Sequence, residues 1–160
     1  MINGSEEMTD NGIIEKYCYD DDPNNCEKYG GLYQRDEVMQ YSTDEGIQGL
    51  CPEGWHVPIF SEIQELESYV NDESKRLVNQ DQTTINYTAT NESGFSSLFV
   101  GSRKYDHSFI SFGKDAFFFS STIGESGVSV YGMSLYYTYD FVNLGTRGKS
   151  GGYCIRCLKD

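Results

Sequence analysis

Positive charge is scarce in this sequence. Its 12 Lys and Arg stand against 25 Asp and Glu, a formal net charge of −13. A surface that negative repels phosphate backbones and anionic lipid, which argues against nucleic-acid and peripheral membrane partners. Histidine is scarcer still: His56 and His107 are the only two. Without a cluster of Cys and His no transition-metal site is expected, and no cofactor either. Long apolar runs are missing, none approaching the roughly 18 residues of a membrane span, so no membrane insertion is expected. No G-x-S-x-G elbow occurs, nor any nucleophile and base at a recognisable spacing. A charged n-region followed by an apolar h-region is absent as well. Met1 to Asn11 reads as a trimmed start, so that absence does not place the chain in the cytosol.

What is present is aromatic, glycine-rich and cysteine-bearing. The 160 residues make one domain large enough to bury a core. Aromatics reach 14%, including 13 Tyr and 9 Phe, and there are 17 Gly. Tyr packs a core and still offers wet contact surface, and abundant Gly points to many turns rather than a helical bundle. Residues 1–12 read as a flexible tail and residues 13–160 as one domain. Asp20 to Asn25 supplies hard oxygen atoms that suit calcium, but it lacks the EF-hand spacing, and an Asx-type turn explains it better. His56, after the sole tryptophan, Trp55, reads as a satisfied, half-buried side chain in a core strand, and His107 as an exposed turn residue.

Ile13–Tyr19 reads as a short strand and Tyr33–Tyr41 as a helix. The clearest helix is Ser61–Val70, where Ile63, Leu66 and Val70 fall on one face and Ser61 is placed to cap the start. Beyond it, Phe95–Val100, Ser108–Phe112, Ala116–Ser121, Ser126–Asp140 and Gly152–Leu158 read as strands between Gly-rich turns. Within the fourth, a period of two puts Met133, Leu135, Tyr137, Tyr139 and Phe141 on a buried face. Two early helices and a late, twisted antiparallel sheet make the fold class α+β.

The stretch from Tyr131 to Tyr153 is dense in Tyr, Ser, Thr, Gly and Asn, the residues that binding loops favour. Its outward strand residues, Ser134, Tyr136, Thr138 and Asp140, and the loop Asn143–Gly148 are expected to form one contact face near the C-terminus. Tyr131, Asn143, Thr146, Arg147 and Tyr153 complete the candidate ligand-binding set. The competing explanation is that Tyr simply suits strands.

Five cysteines allow fifteen ways of drawing two bridges, so spacing alone does not assign them. Cys18 and Cys26 flank a turn-rich loop, and a local bridge there contributes roughly 2.6 kcal/mol on chain-entropy arithmetic. Cys154 and Cys157 form a C-x-x-C, but their flanks read as strand rather than helix N-terminus. Residues i and i+3 of a strand lie about 10 Å apart on opposite faces, beyond disulfide reach. A redox role is therefore not expected.

Five segments in order resemble the Fibrobacter succinogenes major paralogous domain, a bacterial cell-surface module. They are Cys18-Tyr19-Asp20 with Asn25-Cys26 through Tyr33, Cys51-Pro52-Glu53-Gly54-Trp55-His56-Val57-Pro58, Glu92-Ser93-Gly94-Phe95-Ser96, Phe119-Ser120-Ser121-Thr122, and Ile155-Arg156-Cys157-Leu158-Lys159-Asp160. Two departures stand out: Phe117-Phe118-Phe119 where the family tends to carry Trp, and Cys154 where Ser or Asn is usual. The resemblance implies a C-type-lectin-like fold and a Cys51–Cys157 bridge, worth about 4.8 kcal/mol on the same arithmetic. Cys154 is then the odd thiol.

It also implies a non-catalytic, monomeric, secreted or surface-displayed domain that binds a protein or glycan. Lectin-like domains of this type are among the targets of diversity-generating retroelements, and Leu144-Gly145-Thr146 and Tyr153-Cys154 fit the substitutions that adenine mutagenesis of Asn codons produces. Two alternatives remain at this stage: a cysteine enzyme like those that generate formylglycine, and a structural module of a larger surface protein or fimbria.

Overall fold

Asp22 and Pro23 start the first helix of the computed structural model, which describes residues 1–160. In α1, Pro23–Tyr29, the Asp22 carboxylate accepts from the Asn24 N–H at 3.0 Å. Proline in the first turn gives up an N–H that has no helical partner there anyway. The acidic run is thus a cap and turn, and Asn24 Nδ2 also donates to Asp22 at 2.8 Å.

The helix expected over Tyr33–Tyr41 is only one turn, α2, Arg35–Val38. Tyr33 is claimed instead by extended pairing with Tyr153, and Gln40 and Tyr41 take left-handed φ angles of 49° and 61° that end the helix. Helix α3, Phe60–Tyr69, lies where the periodicity put it. Ile63 and Val70 are buried and Leu66 packs on the same core. Its cap is not the Ser61 hydroxyl. The Glu62 carboxylate accepts from the Ile59 N–H at 2.9 Å and the Thr122 hydroxyl from the Phe60 N–H at 3.0 Å, satisfying donors left free at a helix start.

Three small antiparallel sheets complete the α+β chain. β1 (Trp55–His56) pairs with β7 (Leu158–Lys159), and β2 (Ser102–Arg103) with β3 (Phe109–Ile110). β4 (Asp115–Ile123), β5 (Ser129–Tyr136) and β6 (Tyr139–Gly148) form a meander in that order. Several expected strands shrink to isolated bridges. Ile13–Tyr19 keeps one, Tyr17 to Leu32, and Phe95–Val100 keeps one, Ser97 to Val78. Before β7, the last expected strand contributes single bridges from Gly152, Tyr153 and Cys154.

The main correction concerns residues 126–148. The chain turns at Tyr137 and Thr138, and Tyr139–Gly148, including the expected loop Asn143–Gly148, returns as a strand. Period-two alternation runs unbroken across this hairpin, and Tyr-Thr is not a typical turn dipeptide, so nothing local marks the reversal. Met133 and Leu135 are buried as expected, whereas Tyr139 and Phe141 are 57% and 41% exposed.

β4 is covered on both sides. Ala116 and Phe118 join Met133, Leu135 and Val142 in the main core, while Phe117 and Phe119 join Val130 and Tyr153 in a second. Gly132 makes the tight β4–β5 approach possible: a Cβ there would sit 2.2 Å from the Phe118 carbonyl oxygen and 2.8 Å from the Phe119 Cα.

Residues 1–12, set apart from the sequence as a tail, lie against this body. Met8 is buried, and the fully buried Arg103 donates to the carbonyls of Gly4 (2.8 Å) and Glu6 (3.0 Å) and to the Glu7 carboxylate (2.8 Å). Its guanidinium lies 4.4 Å from the centre of the Tyr17 ring.

Both expected disulfides are formed, Cys18–Cys26 and Cys51–Cys157, and Cys154 is a buried free thiol. Persistent bridges fit an oxidising, extracytoplasmic compartment. No helix is long and apolar enough to cross a membrane. The C-terminal strand is clasped a second way. His56 Nδ1 lies 2.7 Å from Asp160 and Nε2 3.1 Å from Glu62. The bond to Asp160, and after it Glu62, raises the imidazole pKa against the opposing effect of burial.

Two outcomes are expected. Sequence separations of 106 and 8 residues make the Cys51→Ser/Cys157→Ser pair about 2 kcal/mol more destabilising than the Cys18→Ser/Cys26→Ser pair, as read by urea unfolding. The raised His56 pKa adds stability that is full below its unfolded value of about 6.5, while Glu62 and Asp160 stay ionised, and that fades as pH rises through the folded value. Melting temperature is therefore expected to fall from pH 6 to pH 9 by more in the wild type than in His56→Gln.

Candidate functional site

The meander register sorts the expected contact residues onto different faces. Cross-strand partners share a face, and Phe117, Ser134 and Asn143 stand in one row across β4, β5 and β6. Alternation adds Asp115, Tyr136 and Arg147 to that side. Tyr131 and Thr146 pair with each other on the opposite side, where Phe60 of α3 stacks on Tyr131 at 4.6 Å. Thr138 lies in the hairpin turn. Asp140 is held by the Lys75 backbone N–H at 2.9 Å and its ammonium at 2.8 Å. The structure thus brings together Ser134, Tyr136, Asn143, Arg147 and Tyr153, and sets Tyr131, Thr138, Asp140 and Thr146 apart.

Arg147 is the centre of the group. One terminal nitrogen donates to the Ser134 hydroxyl at 3.2 Å and the Tyr136 hydroxyl at 3.1 Å. The guanidinium carbon lies 5.4 Å from the centre of the Phe117 ring, which meets Tyr153 edge-on at 5.0 Å. The guanidinium is therefore fixed in place rather than free to swing. No carboxylate lies within ion-pair distance of it, although acids outnumber basic residues about two to one.

Around it is a cavity of about 290 Å³, lined also by Asp115, Lys104 and Tyr105. Burial raises the Asp115 pKa, countered in part by the Ser111 hydroxyl and the charge of Arg147. Tyr105 stands 74% exposed at the rim. Gly151 fits Tyr153 into the wall: a Cβ there would sit 2.2 Å from the Tyr153 hydroxyl. Aromatic surface continues outward through Tyr136, Tyr139 (6.2 Å between ring centres) and Phe141 (5.6 Å from Tyr139).

Sequence reasoning missed Asp115, Phe117, Lys104, Tyr105, Tyr139 and Phe141. Alternation within Asp115–Phe119 separates two faces, but which one meets Arg147 depends on long-range register.

A larger cavity of about 350 Å³ lies between α3 and the C-terminal segment, mostly apolar. Its acid has partners in the protein, and its cation, seated over the Phe95 ring, has few hydroxyl or aromatic neighbours in this apolar lining. Glu62 is bonded to His56 and the Ile59 N–H, and Arg156 donates to the carbonyls of Phe95 and Ser96. The cysteines make no C-x-x-C pair, because Cys157 is bonded to Cys51 and burial pushes the Cys154 pKa up to about 12. No three Asp, Glu, His or Cys side chains converge as a metal site would require.

No curated protein and no solved structure matches the chain at a significant level. The Fibrobacter succinogenes major domain matches residues 2–159, with both bridges and the arginine-centred face inside that span. The chain therefore belongs to the Fibrobacter succinogenes major domain family.

Proposed function

We propose that this chain is a non-catalytic, C-type-lectin-like binding domain that acts as a monomer outside the cytoplasm, secreted or on a bacterial surface. It takes a protein or glycan ligand on the face formed by β5 and β6 around Arg147. The observation that carries this reading is the fixed guanidinium. It is held by Ser134 and Tyr136 over the Phe117 ring, and has no acidic partner of its own. Rigid aromatic side chains beside an ordered Arg bind with little entropy loss, since few rotamers remain to be frozen. The exposed Tyr139 and Phe141 extend the surface beyond the cavity mouth. The lectin-like assignment draws on the α+β class and on the disulfide that ties the C-terminal strand to mid-chain.

Diversification by a retroelement would act on the exposed Asn143 and Arg147 of this face, because Cys154 lies in the core and Thr146 on the other side of the sheet. A near-identical template repeat beside a reverse transcriptase gene supports it, and an intact locus without them rejects it.

A glycan and surface-protein array tests the face. Tyr136→Ala and Arg147→Ala are expected to weaken any captured ligand at least tenfold, the loss of a charged hydrogen-bonded contact of about 1.5 kcal/mol or more. Thr146→Ala, on the opposite side of the sheet, is expected to leave binding unchanged. Equal binding by all three rejects the face. Iodoacetamide at pH 8 is expected to leave Cys154 unmodified in the folded protein and to alkylate it after unfolding. Rapid native labelling would instead favour cysteine chemistry of the formylglycine-generating kind.

A further inference from the structure

We infer that the Arg147 cavity takes a single carboxylate-bearing sugar, a hexuronic acid residue of an acidic glycan. This rests on the reading of that face as the binding site and specifies its ligand. Arg147 spends one terminal nitrogen on Ser134 and Tyr136, leaving Nε and the second terminal nitrogen without protein partners. A guanidinium so placed keeps its full charge and a free terminal nitrogen, which receives a carboxylate as a single charge-assisted hydrogen bond, since both two-pronged edges include the nitrogen already spent. Nothing in the protein fills that role. Lys104, the other cation of the cavity, is occupied by Asp106 at 3.1 Å, and Asp115 lies beyond ion-pair distance of Arg147.

The rest of the cavity selects among anions. Asp115 is a half-buried carboxylate on the same wall. It repels a second negative group but accepts from a hydroxyl. The exposed Tyr105 at the rim gives a flat apolar surface against which the C–H face of a sugar ring packs. About 290 Å³ holds one sugar ring with part of a neighbour. A uronic acid residue brings one carboxylate for Arg147 and several hydroxyls for Asp115. An acidic peptide brings further carboxylates against Asp115 and against a chain of net charge −13, with no hydroxyls to offset them. The observations therefore favour the glycan.

The experiment titrates the folded chain by calorimetry and NMR with three probes: a di- or trigalacturonate, the neutral galactose oligomer of equal length, and a Glu-containing tetrapeptide. The galacturonate is expected to bind at least tenfold more tightly than either other probe. Arg147→Met is expected to lose at least tenfold in galacturonate affinity and to erase the preference over the neutral sugar. Arg147→Lys, which keeps the charge but not the bonds to Ser134 and Tyr136 that seat it over Phe117, is expected to recover only part. Asp115→Asn is expected to narrow the preference for galacturonate over the peptide. Unchanged melting temperatures show that the variants fold, and Thr146→Ala serves as the control on the other face.

Equal affinity for the neutral sugar, preference for the peptide, or no binding of any probe overturns the uronate assignment. If array ligands still depend on Tyr136 and Arg147 in those cases, the binding face stands and only its ligand class falls. If array ligands ignore both residues, the face itself is wrong.

Discussion

Strand β4 must satisfy two cores at once, and most of the architecture follows from that constraint. Phe118 points into the main core, while Phe117 and Phe119 point into the second, formed with Val130 and Tyr153. A strand covered on both faces has no solvent side, so its neighbours are held to close packing. Gly132 is the local consequence, since any side chain there would meet the β4 backbone. The Arg147 side of the sheet follows from the same strand. Phe117 is at once a core residue and the aromatic floor beneath Arg147, so the guanidinium sits on a strand packed on both faces.

Away from that sheet the chain is held by other means. Of 81 backbone hydrogen bonds, 56 lie in turns, loops and caps. A chain so irregular leaves carbonyls without ladder partners, and buried ones must still be satisfied. Two buried arginines serve them. Arg103 collects carbonyls from the N-terminal segment, and Arg35 donates to the carbonyls of Ser121 and Ser42. Removing either would orphan several acceptors together, so these side chains do for the loops what pairing does for strands. The Cys51–Cys157 bridge and the His56 clasp fix the C-terminal segment, whose bridges to Tyr33, Arg103 and Phe118 close both cores.

Legibility in the sequence followed the range of the interaction. Helix α3 was visible because its apolar face repeats within ten residues. Helix α1 was missed as a helix although Asp22 and Pro23 carry a cap signal; the acidic run read first as a turn. The hairpin at Tyr137 and Thr138 was hidden because alternation continued through it, and this misplaced Tyr139 and Phe141 in the core. The same error divided the candidate residues. Ser134, Tyr136, Asn143, Arg147 and Tyr153 do meet, while Tyr131 and Thr146 fall on the reverse of the sheet and Asp140 is taken by Lys75.

By itself, the sequence determined the α+β class, the family, the local Cys18–Cys26 bridge, the Cys51–Cys157 bridge that the family resemblance implied, and the excess of acidic over basic residues. Each rests on composition or on residues in fixed order, which need no coordinates. Only the tertiary structure decided which aromatic residues line the face, that Arg147 lacks an acidic partner, and that Cys154 is sealed in the core. Those are matters of strand register and of contacts between residues far apart in the chain. A shift of one residue would send every side chain of β6 to the other side, and no local pattern in this chain fixes that register.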